Sequence, residues 1–260
     1  MTEMISSAAI CGMTVTLLVS VGIPIAAMIV AGKKTKEKMS SVLIGAGTFF
    51  IFALILEQIL HQIMISVFGK SLFGNIWSYA LYGGLAAGLF EETGRLLSMK
   101  YLMKNSLSKG SSIMYGIGHG GAESIILIGL TYLSNIVTAV MINAGMLDTI
   151  LSNVDESLKA QTIEQLSALW TTPAHQFYLA GVERAAAFAL QICLSYIVYR
   201  AVKDKKPLFY VLAVALHFIV DAGMILLASV ISVYAVECIL IAAVACLSII
   251  VYKQYKEETV

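Results

Sequence analysis

Seven ionisable side chains interrupt long apolar stretches of this 260-residue chain. Four of them are acids, two are histidines and one is an arginine, and three separate segments carry them: Glu91, Glu92 and Arg95; His119 and Glu123; His217 and Asp221. Residues four apart share one face of a helix. The spacing therefore places each histidine on the same face as the acid that follows it, and Glu91 on the same face as Arg95.

These residue types bind metal ions and move protons. Two imidazoles with carboxylate oxygens suit a divalent, zinc-like ion that keeps one position for water. An acid one turn from a histidine can be a further ligand or can accept the second N–H of the ring, and a carboxylate beside the water can act as general base. Because Glu91 and Glu92 point about 100° apart on a helix, one of them can serve the water while the other, or Arg95, holds the site together.

The segments that carry these residues are predicted to lie in a membrane. Apolar residues make up 59% of the chain and charged residues 13%, with a mean hydropathy of +0.86, whereas soluble domains are about 45–50% apolar and about 25% charged. This composition excludes a water-soluble enzyme and a disordered linker, and the net charge of +1 predicts no nucleic-acid partner. We expect an all-α, polytopic transmembrane bundle that forms a single integral membrane domain over residues 1–260.

Seven stretches are long enough to span a bilayer, whose core of about 30 Å needs roughly 20 apolar residues per helix. The fourth is the longest, and an eighth span is the alternative. The start of the chain lacks the basic region of a cleaved signal peptide, so we expect its apolar run to be retained. The predicted spans run near Ala8–Val30, Val42–Val67, Ile76–Leu102, Ile113–Ala144, His175–Tyr199, Leu208–Val230 and Tyr234–Tyr252.

Lysine and arginine predict the orientation of these spans. Only Lys70 and Lys159 lie in the loops that follow the even-numbered spans. Basic residues near the membrane favour the cytosolic side, so we expect the N-terminus outside and the C-terminus in the cytosol. Thirteen basic residues follow the odd-numbered spans: Lys33, Lys34, Lys36, Lys38, Lys100, Lys104, Lys109, Arg200, Lys203, Lys205, Lys206, Lys253 and Lys256.

The predicted depth of the polar residues places them at one site. Glu91 lies nine residues before Lys100, His119 ten after Lys109, and His217 eleven after Lys206. At about 1.5 Å per residue, all three lie roughly 13–17 Å from the cytosolic boundary. Ionisable groups at this depth are costly, face the bundle interior and usually mark function. We therefore expect one site rather than three isolated polar residues.

Other polar residues have more than one interpretation. The pair Glu183 and Arg184 is predicted to be a structural ion pair, with substrate positioning as the alternative. His61 and His175 are interpreted as hydrogen-bonded packing residues, and Glu57 as a packing or lipid-interface residue. The four cysteines lie in apolar runs without C-x-x-C spacing, so we expect free thiols that behave as small buried apolar residues. These are Cys11, Cys193, Cys238 and Cys246.

Glycines and one loop complete the predicted architecture. Small residues let membrane helices approach closely and are predicted to leave room for a substrate backbone beside His119. Gly84 and Gly88 precede the glutamate pair, and His119 is surrounded by Gly116, Gly118, Gly120 and Gly121. Between the fourth and fifth spans, apolar residues at helical spacing predict one or two amphipathic helices near residues 145–172 on the extracytosolic surface. This segment is interpreted as a structural cap, or as a lid or substrate-guiding element.

The motifs resemble those of the CAAX-protease and bacteriocin-processing superfamily of intramembrane proteases. The superfamily features are the di-glutamate with a basic residue one turn on, the histidine helix and the later His-x-x-x-Asp. The Glu-Glu-x-x-Arg spacing, the glycine-rich His119 segment and the pair Glu183-Arg184 look most like its YhfC-type branch, which is related to PrsW-type proteases. The resemblance covers roughly residues 5–255. It implies glutamate-dependent, metal-assisted peptide-bond hydrolysis within a helical bundle.

The resemblance also implies roles for individual residues. Glu91 or Glu92 would activate water, while His119 and His217 would hold the metal or the water. Asp221 takes the place of the Asn or Asp that follows the last histidine of the superfamily. Glu123 takes the place of a second-motif acid of the PrsW-like branch. The implied metal is a divalent ion, zinc in the first instance.

The hypothesis that fits best is an intramembrane metallopeptidase that cuts a membrane-embedded peptide or protein near the cytosolic half of the bilayer. The sequence contains no His-Glu-x-x-His and no Gly-x-Ser-x-Gly motif. Two alternatives stay open: an ion-coupled carrier, because mid-membrane acids and histidines also form ion pathways, and a non-catalytic scaffold or immunity protein that retains the site. Small size and the resemblance indicate a bacterial cytoplasmic membrane, with the lipid bilayer itself as a partner.

Overall fold

The computed structural model describes residues 4–69 and 73–258, and helices account for most of them. Lys70, which entered the prediction of orientation, lies outside the described residues. We number the helices in chain order. They are α1 (Ser7–Thr35), α2 (Ser40–Phe68), α3 (Ile76–Leu97), α4 (Lys109–Asn143), α5 (Leu147–Leu151), α6 (Glu156–Thr171), α7 (Ala174–Lys203), α8 (Leu208–Ala228) and α9 (Val233–Glu257).

The all-α membrane fold is confirmed. Six of these helices, all but α3, α5 and α6, are long and apolar enough to cross a membrane. Helix α3 coincides with the third predicted span and has 22 residues, but Glu91, Glu92 and Arg95 lower its hydropathy. Seven helices thus have the length of the predicted spans, and six of them also have the required hydropathy. The orientation of the bundle and the single domain over residues 1–260 stay predictions.

Three π-helical turns lie beside the predicted site residues. Phe52–Glu57 interrupts α2, Ser98–Leu102 follows α3, and Ser124–Gly129 interrupts α4 directly after Glu123. Such turns widen the helix by one residue and occur frequently at functional sites. Their positions indicate that the backbone is adjusted locally around the polar residues.

The described residues group into two compact units. The first comprises the described part of residues 1–23 together with Ser124–Ala185. Its apolar core includes Ile5, Met13 and Phe177, and Asn143 pairs with the backbone of Ile5 through hydrogen bonds of 2.8 and 2.9 Å. This pairing fastens the beginning of the chain to the end of α4.

The predicted amphipathic segment forms two helices, α5 and α6, within the first unit. Leu169 belongs to the apolar core of this unit, and Leu151 is also buried. Leu158 and Ile163, which follow the same apolar spacing, are instead 48% and 39% exposed. The segment is therefore amphipathic, but part of its apolar face is uncovered, and its extracytosolic location stays a prediction.

The second unit, Pro24–Glu123 with Ala186–Val260, contains every predicted site residue except Glu183 and Arg184. Its core is built from side chains of α3, α4, α7, α8 and α9 and the turn after α3, including the fully buried Tyr115, Leu194 and Tyr196. Helix α2 packs on α4, and α3 packs on α8. These two helix pairs position the site.

The glycines of the second unit allow close helix crossings, as predicted. A Cβ atom at Gly84 of α3 would lie 2.9 Å from the backbone nitrogen of Ala222 on α8, and one at Gly116 would lie 2.8 Å from Cα of Ile192 on α7. The space beside the glycines around His119 is filled by neighbouring helices. The prediction that these glycines leave room for a substrate backbone is therefore wrong, because the protein itself occupies that volume.

The cysteines are free thiols, as predicted. Cys193 is buried and its Sγ lies 3.4 Å from Oγ of Ser248. Cys11, Cys238 and Cys246 are exposed, so the prediction of burial is wrong for these three. The physical reason is that a membrane helix can direct apolar side chains outward, since lipid replaces water as the solvent.

Candidate functional site

The predicted site residues on three helices meet in the interior of the second unit. His119 of α4 hydrogen bonds through Nε2 to Oε2 of Glu91 on α3, at 2.8 Å. His119 is fully buried and Glu91 is 7% exposed. The ring is fixed by Tyr115, which stacks on it at 6.0 Å between centroids, and by the edge of Phe49 at 5.4 Å.

The neighbouring glutamate has different partners. Glu92 is fully buried, and its Oε1 accepts a hydrogen bond of 2.9 Å from Nδ1 of His217 on α8. Its Oε2 lies 3.0 Å from Nε of Arg95. The two glutamates thus serve two different histidines, in agreement with the angle of about 100° between adjacent helical residues.

Arg95 and Gln191 connect α3 with α7. The guanidinium of Arg95, which is fully buried, donates to the carbonyl oxygen of Gln191 at 2.7 Å, to its Oε1 at 2.5 Å, and to Oγ of Ser195. Gln191 in turn donates through Nε2 to Glu91 at 3.1 Å and to Glu123 at 2.8 Å. Gln191 and Ser195 were not predicted, because an uncharged polar residue in an apolar helix has no distinctive spacing.

The arrangement fits a divalent metal ion at one position. Donor atoms of Glu91, His119 and Glu123 all lie within 4.8 Å of one another. Two ligands of one tetrahedral zinc-like ion are about 3.3 Å apart at bond lengths near 2.0–2.1 Å, close to the 2.8 Å between His119 Nε2 and Glu91 Oε2. One imidazole nitrogen with two carboxylates is also a donor set that such ions accept.

The other predicted ligands lie next to this group. Nε2 of His217 is 3.5 Å from Oδ2 of Asp221, and the Asp221 side chain is 36% exposed. Direct metal binding by His217 and Asp221 stays a prediction. Glu183 and Arg184 belong to the first unit, where Glu183 is exposed and Arg184 half-buried, and their roles also stay predictions.

A second acid–histidine pair lies on α2. Glu57 is only 7% exposed, and its Oε1 lies 3.3 Å from Nε2 of His61, which also hydrogen bonds through Nδ1 to the hydroxyl of Tyr82 at 2.8 Å. The hydrogen-bonded packing role of His61 is confirmed, and the lipid-interface interpretation of Glu57 is wrong because the carboxyl is buried. His175, by contrast, is exposed at the start of α7, and its hydrogen-bonded packing role stays a prediction.

Fold and site together define a multi-pass helical membrane protein with a buried acid–histidine cluster. The chain belongs to the YhfC intramembrane metalloprotease family, whose model matches residues 17–250. A relative from Bacillus subtilis strain 168, named uncharacterized membrane protein YhfC, is 34% identical over 226 residues, which is 86% of each chain. No solved structure matches this chain.

Proposed function

We propose that this protein is an intramembrane metalloprotease that hydrolyses a peptide bond in a membrane-embedded peptide or protein. The observation that carries the proposal is the group formed by the buried Glu91 and His119 with the half-buried Glu123, whose donor atoms lie within 4.8 Å of one another. The family description supports the same activity. The three residues would hold a divalent ion, zinc in the first instance, which when bound supplies a Lewis acid that polarises the scissile carbonyl.

Glu91 is the residue to which we assign activation of water. Both oxygens of Glu92 are engaged, one by His217 and the other by Arg95. The hydrogen bonds from His119 and Gln191 to Glu91, in contrast, both go to Oε2, and Glu91 is the more exposed glutamate of the two. A carboxylate oxygen of Glu91 accepts the proton of the water whose oxygen attacks the peptide carbonyl carbon.

His217 is the residue to which we assign protonation of the leaving amine. Its Nδ1 is hydrogen-bonded to Glu92, and its Nε2 lies 3.5 Å from the partly exposed Asp221. When the C–N bond breaks, Nε2 donates a proton to the amine nitrogen. The proton that Glu91 took from the water then passes to Nε2 of His217, and both residues return to their starting protonation. Glu92 and Arg95 act as positioning residues, since they fix the ring of His217 and the approach of α7.

The test compares cleavage in cells with and without the assigned base. Membranes from cells that produce the wild type, Glu91→Gln or the control Glu257→Gln, which replaces an exposed glutamate at the end of α9, are analysed for new protein N-termini by amine labelling and mass spectrometry. We expect N-termini that depend on the wild type and on the control but are absent with Glu91→Gln. Identical N-termini in all three samples would contradict the proposal and would favour a carrier or a scaffold.

A further inference from the structure

Exposure of the polar residues changes systematically along the helices of the second unit. Glu92, Arg95 and His119 are fully buried. Toward the ends of α2 and α8 the values rise: the side chain of Glu57 is 9% exposed, that of His61 24%, and that of Asp221 36%. Hydrolysis needs water at the fully buried residues. The direction in which the exposed fraction of these side chains rises therefore indicates where water can enter.

The more exposed residues lie toward one end of the bundle. We define the lysine-poor end as the end where α2 stops at Phe68, α3 begins at Ile76 and α8 stops at Ala228. At about 1.5 Å per residue, His61 and Asp221 are each roughly 10 Å from it along their helices, and Glu57 is roughly 17 Å from it. Tyr82 lies six residues after the beginning of α3, at a similar depth to His61.

These residues form a polar series beside the site. The hydroxyl of Tyr82 is hydrogen-bonded to Nδ1 of His61, and Nε2 of His61 lies 3.3 Å from Oε1 of Glu57. Asp221 joins the series to the site, because its Oδ2 lies 3.5 Å from Nε2 of His217, and Glu57 lies within electrostatic range of Glu91, His217 and Asp221. Ionisable side chains within membrane helices face a water-filled cavity or the bundle interior rather than lipid. Apolar neighbours on the same helix, Ile59 and Ile63, take the outward positions and are each 52% exposed.

The opposite end of the site is closed by apolar packing. Between the site and the lysine-rich loop at residues 104–109 lie Met99, Met103 and Tyr115, which are all fully buried members of the apolar core. Ser98 is 4% exposed and hydrogen bonds to Thr48 at 2.7 Å. Close-packed side chains of this kind leave few voids larger than a water molecule.

We propose that water reaches the buried cluster from the lysine-poor end, along a polar path formed by Glu57, His61, Tyr82 and Asp221. This proposal rests on the proposed function in one respect only, namely that the water is used for hydrolysis. The pair Glu57 and His61 is thereby given a role in admitting water, which is distinct from the roles assigned to the residues of the candidate site.

Thiol accessibility tests the path without any cleavage assay. In a background with the four native cysteines replaced by alanine, single His61→Cys and Tyr82→Cys variants are treated in membrane vesicles with a cationic, membrane-impermeant methanethiosulfonate. Ile59→Cys and Ile63→Cys are the matched controls on the outward face of α2. Because the thiolate is the reactive form and needs water, we expect both path positions to react about tenfold or more faster than the controls.

The side of access is determined with oriented vesicles. A Lys36→Cys variant reports the lysine-rich face, and the path positions should react with reagent applied to the opposite face. Reaction no faster than at the two isoleucine positions, or reaction only from the face that labels Lys36→Cys, would overturn the path. The two test positions lie on different helices, so one folded variant is sufficient. Labelling without any substrate cleavage would support the path while refuting the protease.

Discussion

Removal of the Arg95 charge is expected to be among the most destabilising single changes in the second unit. Arg95 is fully buried, and its guanidinium contacts Glu92, Gln191 and Ser195. The substitution Arg95→Met keeps most of the side-chain volume but leaves the carboxylate of Glu92 without its cation. It also removes the Arg95 donor from Oε1 of Gln191 and one of the two side-chain donors to the Gln191 carbonyl oxygen, the other being Oγ of Ser195.

The magnitude follows from the burial of the pair. Breaking a buried ion pair by removing one partner costs about 3–5 kcal/mol, because the remaining charge is uncompensated. In a chain of this size, 1 kcal/mol corresponds to a shift in melting temperature of about 2–4 °C, so the expected decrease is about 6–20 °C. Adding Glu92→Gln should recover part of this loss, since the double variant contains neither charge and Gln can still contact His217.

The assay is thermal unfolding in detergent, followed by tryptophan fluorescence. Arg200→Met is the control, because Arg200 pairs with Asp204 at the protein surface, where both side chains are more than a fifth exposed, and exposed pairs contribute about 0–1 kcal/mol. A melting temperature of Arg95→Met within about 2 °C of the wild type would contradict a buried ion pair. So would a decrease in the double variant that equals the sum of the decreases in the two single variants.

Two further predictions concern helix packing and the C-terminal segment. Gly84→Ala should lower the melting temperature because its Cβ would meet the backbone of α8 at 2.9 Å, whereas Gly83→Ala, with open space around it, should be neutral or should stabilise by up to about 1 kcal/mol; equal effects would contradict the close crossing. Burial raises the pKa of Glu258, but hydrogen bonds from Lys203, Tyr199 and Tyr196 outweigh it and hold the pKa below its usual 4.5. A carboxyl with a lowered folded-state pKa stabilises above its unfolded pKa and loses this effect as the pH falls through the folded value. The protection factor for hydrogen exchange at the end of α9, which is corrected for the intrinsic pH dependence of exchange, should therefore decrease below pH 4.5. Glu258→Gln should already have a lower protection factor at pH 7 and should lose this pH dependence.

The sequence predicted the helical membrane fold because its signal is strong and local. Apolar stretches of about 20 residues are a direct consequence of bilayer thickness, and the depth of Glu91, His119 and His217 could be obtained from helix rise. Spacing also predicted that His119 and Glu123 share a face, and both belong to the group that could hold a metal ion.

The pairing of the glutamates with the histidines could not be predicted. Which histidine meets Glu91 and which meets Glu92 depends on the rotation of α3 against α4 and α8, and this rotation is set by helix crossings such as that at Gly84. The contribution of Gln191 is likewise a consequence of the position of α7. These features depend on tertiary packing, which has no local pattern in the sequence.

One missed feature had a signal in the sequence. Glu57 and His61 are four residues apart, the same spacing that identified the His119 and His217 pairs, but here the acid precedes the histidine. Considering only acids that follow a histidine led to the interpretation of Glu57 as a packing or lipid-interface residue. Its burial on a π-helical turn beside the site shows that both directions of the spacing carry information.

Metal content tests the central claim most directly. Wild type, His119→Ala and the control His175→Ala, which replaces an exposed histidine of the first unit, are purified in detergent without chelators and analysed by elemental mass spectrometry. We expect about one zinc-like ion per chain in the wild type and the control, and its loss in His119→Ala. Equal metal content in all three proteins, or no metal in a folded wild type supplied with zinc, would contradict a metal site at Glu91, His119 and Glu123.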